Sequence, residues 1–471
     1  MAKIQFGEWL PDQPGVTGAL TDAVNCYPVA NGYAPFKSET NYSNDAAADL
    51  LTVFAGKYAN SVSLFAGSGS NLYKYNPGTK NMDSANTTGY TSIEYWDNTQ
   101  FGSKIICANG VNRLQSYTLN SSTYFANLSA DAPQAKYVST IRDFVVAANV
   151  SGYENKIYWS DINNETNWTP STTSQADSQV LPDGGDIIGL AGGEFGIVFL
   201  ERAIYRMSYA GSPLFFQFDA INTKLGCIAA GSIAQFGGLA YFLGTDGFYV
   251  CNGQDTKSIS DNKVSKWFFS NATLENINNT MSSAVDPINK LVIWCFKSQS
   301  GGYYLLTYSI TLNKFTYCLT SAYSVNSALT PSISLDDLDG YSSSIDALTV
   351  SLDDRQWSGN QLIFAGTSAK KVITFGGANK TASIVTGDID SGRTVINLVR
   401  PTVDGGSGSV QIASRTQLSD PLVFGDASVA DAEGRCSVRT AGYYHRIKLI
   451  PSGNWVTAVG LDANIIGQGS R

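Results

Sequence analysis

Histidine is all but missing from this chain: one residue, His445, among 471. A Ser-His-Asp triad, a Cys-His pair or a multi-histidine metal site could be built only around that residue. It sits between Tyr444 and Arg446 in an alternating, strand-like run, where an exposed or half-buried structural histidine is expected. Also missing are a G-x-S-x-G elbow, a phosphate-cradling G-x-x-x-x-G-K-[ST] and a G-x-G-x-x-G between strand and helix, which argues against serine hydrolysis and nucleotide chemistry. Cys26, Cys107, Cys227, Cys251, Cys295, Cys318 and Cys436 are odd in number and never form CxxC, so neither a disulfide framework nor a zinc site is expected. They read as small buried hydrophobes. No cofactor and no resident metal are expected.

Charge is also sparse. Asp, Glu, Lys and Arg make up 15% of the residues, with a formal charge of −8. A protein that holds duplex DNA by neutralising phosphates needs a broad cationic surface; DNA near this chain should be repelled or passed along. No run approaches the roughly 20 apolar residues of a membrane helix. Met1-Ala2-Lys3-Ile4 leads into Gly7-Glu8-Trp9 without a signal-type apolar core, so a soluble protein made in a cytoplasm is expected.

What the chain does have is sheet formers and turn formers: 25 Tyr, 22 Phe, 8 Trp and 45 Gly, with few of the residues that solvate helices. Between 144 and 251 one pattern occurs three times. Phe144-Val145-Val146-Ala147 precedes Ile157-Tyr158-Trp159, Ile197-Val198-Phe199-Leu200 precedes Ile204-Tyr205-Arg206-Met207, and Ala240-Tyr241-Phe242-Leu243 precedes Phe248-Tyr249-Val250. Short β-branched and aromatic runs bounded by Gly, Asn, Asp or Ser predict β-hairpins. In the third, Gly244-Thr245-Asp246-Gly247 is expected to supply positive-φ residues to the reversal. Four more pairs complete the series: 64–66 with 72–75, 105–108 with 114–117, 292–296 with 304–308, and 362–365 with 372–375.

One central residue from each unit gives Phe65, Ile106, Val145, Val198, Phe242, Ile293 and Ile363, separated by 41, 39, 53, 44, 51 and 70 positions. Most spacings match the roughly 40–50 residues of a propeller blade. A single blade cannot cover both of its faces, and only a closed ring leaves none exposed. The fold class is therefore all-β: a β-propeller of six or seven blades over 46–386, preferred over stacked β-sandwiches because the hairpins recur at one long period. Residues 1–45 carry Pro11, Pro14, Pro28 and Pro35 and should lie extended, anchored by Trp9, Leu10, Tyr27, Tyr33 and Phe36. Residues 387–471 hold longer strand-like runs around the turn 404–408 and predict a β-sandwich-like unit. This end reads as a small β-sandwich or platform, separate from the ring. Arg435, Arg439, His445, Arg446 and Lys448 make this end locally basic, which reads as a mixed solvated strand face.

The longest gap contains Asp336, Asp337, Asp339, Asp346, Asp353 and Asp354. Their spacing lacks the ligand order and closing glutamate of a calcium loop, so a solvated loop is the plainer reading. An acidic loop facing a channel is the functional one, with Asp336, Asp337, Asp339, Asp353 and Asp354 as the possible channel-lining acids. Glycoside hydrolysis needs only two carboxylates, and Asp161, Asp183, Asp186, Glu194 and Glu201 are the candidates for it. Yet no S-x-D-x-G-x-x-W box is present, and Trp96-Asp97 is the only Trp-Asp dipeptide, unlike sialidase-type or WD40 propellers.

Ile157-Tyr158-Trp159-Ser160, Asn167-Trp168, Leu181-Pro182-Asp183-Gly184-Gly185, Glu201-Arg202-Ala203-Ile204, Phe216-Gln217-Phe218, Gly226-Cys227-Ile228-Ala229 and Thr245-Asp246-Gly247-Phe248-Tyr249 resemble the tail nozzle, or packaged-DNA stabilisation, family of short-tailed phages. The resemblance extends to Ala284-Val285-Asp286-Pro287, Leu352-Asp353-Asp354-Arg355 and Tyr444-His445-Arg446. It implies a non-enzymatic virion protein of the tail, assembled in the host bacterial cytoplasm. Its homo-hexameric ring would form the channel that retains packaged DNA and conducts it at ejection, with the N-terminal arm and the C-terminal β-sandwich-like unit packed together into a platform region. Partners would be adaptor and portal-side proteins, a plug, needle or tail fibre that closes the lumen, and genomic DNA in transit without sequence recognition. The alternative is a glycan-binding or glycan-degrading propeller of a phage tail.

Overall fold

The computed structural model describes residues 1–467 apart from positions 16–17, 92, 343, 349–351, 353–356, 358–359 and 368. Strands dominate, and the two α-helices among the described residues, Ser265–Asn271 and Ile277–Thr280, are short. Every predicted hairpin forms and pairs antiparallel, from Ser61–Ser68 with Leu72–Asn76 to Gln361–Thr367 with Val372–Thr374. Each supplies the two middle strands of a four-stranded sheet. Six such sheets stand free: blade one (50–84), blade two (97–127), blade three (135–180), blade four (187–222), blade five (234–258) and blade seven (322–374 with Thr40–Asn41). A seventh four-stranded meander, 282–320, occupies the sixth place in the ring and belongs to a fourteen-stranded sheet.

The ring closes mainly along the first strands of the blades, where polar side chains bond the backbone of a neighbouring blade. Val53 N–H donates to Asn326 Oδ1 (3.0 Å) between blades seven and one. Gln100 receives Lys57 N–H and donates to the Lys57 carbonyl (3.0 and 2.6 Å). Val138 N–H donates to Asp97 Oδ2 (2.9 Å), and Asn149 Nδ2 donates to the Ile187 carbonyl (2.8 Å). Gln235 reaches the Gly192 carbonyl, Ser283 the Ile233 carbonyl, and Val325 N–H donates to Ser282 Oγ (2.8 Å). These contacts satisfy backbone groups that inner strands present toward the axis, where no further strand pairs with them.

Apolar cores fill the gaps between blades. Phe54, Phe65, Ile105 and Tyr117 join blades one and two; Val138, Val145, Ile106 and Leu114 join two and three. Corresponding clusters occupy every other gap, with Tyr42, Leu64, Tyr73 and Phe364 closing seven on one. The middle strands are therefore buried on both faces, which is why they read as continuous apolar runs. All seven cysteines are buried and unpaired.

The two ends of the chain build one platform. Ala2–Gln5 pairs with Thr457–Gly467, and the hairpin Cys26–Val29 with Gly32–Pro35 joins the same strand. Asp22–Val24 bridges Lys314–Thr320 of the sixth blade to Ser383–Val385, which continues to Cys436–Ser452. The long strand Cys436–Ser452 changes partner along its length, pairing first with Ile389–Asp404 and then with Ser407–Arg415. Two sequence boundaries thus shift: Thr40–Asn41 completes blade seven as its outer strand, and Ser383–Val385 lies in the platform sheet. Trp9 and Tyr33 are buried anchors of the arm.

The turn 244–247 also differs from expectation. Neither Gly244 nor Gly247 has positive φ. Instead a Cβ at Gly244 would meet Leu225 at 2.9 Å and the Tyr249 ring at 3.1 Å, and one at Gly247 would meet Ser260 and Ser265 hydroxyls. Close approach, not handedness, requires glycine there.

Candidate functional site: an axial cavity

The first strands of blades one, two, six and seven, with the segment that leads into blade five, enclose a cavity of about 810 Å³. Leu51 and Thr52 of blade one, Asp97 and Asn98 of blade two, Ser282 and Ser283 of blade six, and Tyr323, Ser324 and Asn326 of blade seven form its wall. Gly301, Gly302 and Tyr303, at the tip of a blade-six hairpin, contribute from above, and the helical turn Ile277–Thr280 crosses from the side. That turn is fixed by Asn278 Oδ1, which accepts from Ala230 N–H (2.7 Å), and by Asn279 Nδ2, which donates to Glu94 Oε2 (2.6 Å).

Three carboxylates line the cavity, Asp49, Glu94 and Asp97, and no lysine or arginine among the described residues does. Asp49 and Glu94 are exposed at the rim. Asp97 is half-buried: desolvation pushes its carboxyl up to about 7, against the pull of the Val138 and Asn98 N–H groups that it accepts. Tyr95, Tyr137 and Cys107 are raised in turn by burial and by the Asp97 charge. Lys136, near Glu94, is lowered by burial.

A pH dependence follows. The folded pKa of Asp97 is raised above its unfolded value, so between the two the folded state binds more protons. The contribution of Asp97 to stability is greatest below about pH 4 and is lost as pH rises to about 7. Asp97→Asn should flatten that fall. Urea unfolding followed across the window, as a difference between wild type and variant, checks it: an unchanged slope contradicts the assignment.

Of the acids singled out from sequence, Asp336 and Asp337 lie away from this cavity. Asp336–Gly340 forms a 3-10 turn in which Asp337 Oδ2 accepts from Ser334 N–H and Oγ (2.8 and 2.7 Å), beside Gly78 in the outer hairpin of blade one. Tyr341 fastens the turn there through Tyr75 (2.7 Å). Asp336 is exposed, and neither it nor Asp337 lines the axial cavity. The side chain of Asp339, and all of Asp353 and Asp354, lie outside the described residues.

Of the carboxylates considered for glycoside hydrolysis, Asp183, Asp186 and Glu201 lie on adjoining turns, where Glu201 N–H donates to the Asp186 carbonyl (3.0 Å), while Asp161 and Glu194 belong to other loops. Asp161 ties its own loop, accepting from Ile162 N–H, Gln175 N–H and Asn167 Nδ2. Asp183 and Asp186 are exposed, Glu194 faces Arg142 at 3.4 Å, and Glu201 faces Arg202 at 3.8 Å.

His445 departs from its expected exposure. It is fully buried, with Nε2 at 2.9 Å from Thr394 Oγ1 and Nδ1 at 2.7 Å from Ser414 Oγ, and burial lowers its pKa. Arg446 is not on a solvated face either. With Arg415 it grips Asp388 (2.5–2.9 Å), whose side chain is only 3% exposed. Arg435 does belong to a surface group, pairing with Asp431 and Glu433.

No family model matches the chain, and no curated protein matches it. Among solved structures it is similar to the crystal structure of the computationally designed Ika8 protein (crystal packing No.1 in P63). The two are 8% identical, over 78% of this chain and 100% of that one, with a TM-score of 0.38.

Proposed function

We propose that this chain is a structural virion protein, a tail nozzle or hub subunit of a short-tailed phage, and that its work is mechanical. The observation that supports this most is the continuity of the platform with the ring. Asp22–Val24 lies parallel to the outer strand of the sixth blade and antiparallel to Ser383–Val385, so a push on the platform is carried into the propeller through backbone hydrogen bonds. Rigid coupling of this kind suits a subunit that bears the pressure of packaged DNA. The sparse charge and acidic balance suit a wall along which DNA slides without releasing counterions.

In this reading copies of the chain form a homo-hexameric ring under the adaptor, and a plug, needle or fibre protein closes the lumen until ejection. The acidic turn Asp336–Gly340 on the outside of blade one would then face a neighbouring copy or the shared lumen. Negative-stain electron microscopy of the purified protein, alone and with adaptor and portal proteins, tests this: ring-shaped particles or incorporation under the adaptor are expected. A stable monomer that stays off the adaptor and is absent from particles would overturn it.

A further inference from the structure

The geometry points to the axial cavity as a binding site for an elongated organic cation of the aliphatic polyamine class. The proposal is independent of the virion reading, since it rests on one chain. Its volume, about 810 Å³, is within the usual range for small-molecule sites. Its charge is one-sided: Asp49, Glu94 and Asp97 line it without a lysine or arginine among the described residues, the nearest identified cation being Lys136 beside Glu94. In a walled concavity such a field is focused and little screened.

Shape selects among cations. The three carboxylates come from two segments, Asp49 from one and Glu94 with Asp97 from the other, and no cluster of three His, Cys, Asp or Glu among the described residues could hold a metal ion. A compact divalent ion would neutralise at most part of the set. A chain of amines spaced by methylenes can meet the rim carboxylates and the half-buried one together, while Leu51, Ile233 and the rings of Tyr303 and Tyr323 take its stem. Aromatic faces favour ammonium groups as well. Two further polar atoms of residues in the wall, Asn279 Oδ1 and the Tyr323 hydroxyl, are buried without a hydrogen-bond partner, and unsatisfied groups of this kind are rare and costly. A neutral sugar would leave the carboxylates uncompensated.

Calorimetric titration with spermidine tests the site, using wild type and the double variant Asp49→Asn/Glu94→Gln. Both of these carboxylates are exposed, so the variant is expected to fold, and far-UV circular dichroism verifies it. Saturable one-site binding, weakened by about tenfold or more in the variant and resistant to magnesium chloride at matched ionic strength, is expected. Absence of saturable heat in wild type, equal affinity in the variant, displacement by magnesium as readily as by spermidine, or a glucose heat that replaces the spermidine heat would each overturn the proposal.

Discussion

Replacing Asp388 with alanine is expected to lower the free energy of unfolding by about 3–5 kcal/mol, the largest loss anticipated for a charged residue in this chain. Asp388 is 3% exposed and receives Arg446 on both carboxylate oxygens and Arg415 on one. Burial opposes its charge, but the hydrogen bonds and attraction of the two guanidinium groups outweigh it and hold the carboxyl below its usual range. The alanine variant leaves two cations half-buried and facing each other, and Arg415 already has a buried Nε without a partner. The loss also reaches the N-terminal arm. Asp388 N–H donates to the Gly15 carbonyl (2.6 Å), and a Cβ at Gly15 would lie 2.3 Å from Arg446 Nη2, so the arm is seated on the ion network.

Two controls separate charge from packing. Asp388→Asn keeps the shape and should recover little, because an amide cannot neutralise two guanidinium groups. Asp388→Ala combined with Arg446→Met should recover more than either replacement alone predicts, since removing both partners of a buried pair costs less than orphaning one. The pH dependence has the opposite sign to that of Asp97. The folded pKa of Asp388 is depressed, so its stabilisation is present above the unfolded value, about 4, and is lost as pH falls through the folded value. Urea unfolding by far-UV circular dichroism gives both readings; a loss within about 0.5 kcal/mol would contradict the network's role.

The second large effect is expected from Trp9→Ala, about 3–5 kcal/mol. Trp9 is 1% exposed, lies edge-on to Trp267 at 4.9 Å and against Tyr317 at 5.1 Å, and donates from Nε1 to the Thr21 carbonyl at 3.3 Å. Trp267 belongs to the helix Ser265–Asn271, whose first N–H groups are capped from the arm: Asp12 accepts from Lys266 and Trp267 at 2.8 Å. Removing the indole therefore opens a cavity where arm, helix and sixth blade meet, and exposes the core that continues into the platform through Phe6, Tyr33, Leu449 and Trp455. Limited proteolysis should cut the arm of the variant well before the ring. Equal resistance of arm and ring, with an unchanged urea midpoint, would show that the arm is held elsewhere.

These two positions illustrate what the residues alone could convey. The middle strands of every blade were legible because packing on both faces forces unbroken apolar runs, such as Phe144-Val145-Val146 and Val292-Ile293-Trp294. The first and last strands were not. Asp97–Phe101 lines the axis and is half-buried throughout, and Asn81–Ser84 and Thr256–Ser258 are polar edges, so none carries a hydrophobic period. Trp9 and Tyr33 were recognisable as anchors because an aromatic in a proline-rich arm needs a surface to lie on. Asp388 was not, for its partners are 27 and 58 positions away.

The axial cavity escaped notice for the same reason. Asp49, Glu94 and Asp97 are unremarkable as sequence, and Trp96-Asp97 drew attention only as a dipeptide. The acidic run 336–354 stood out by local density, yet Asp337 is engaged with Ser334 on the outside of blade one. Density along the chain measures neighbours in sequence, whereas a field in a cavity depends on neighbours in space.

By itself the sequence determined the all-β class, the repeating hairpin and the long strands of the C-terminal unit, and it confined any histidine chemistry to one residue, since each follows from side-chain type and local period. The tertiary structure alone decided that Thr40–Asn41 completes blade seven, that His445 is buried and Arg446 half-buried, and which three acids share a cavity. Those outcomes depend on ring closure, which brings together segments far apart in the chain, and no local pattern records which distant strand will arrive beside a given side chain.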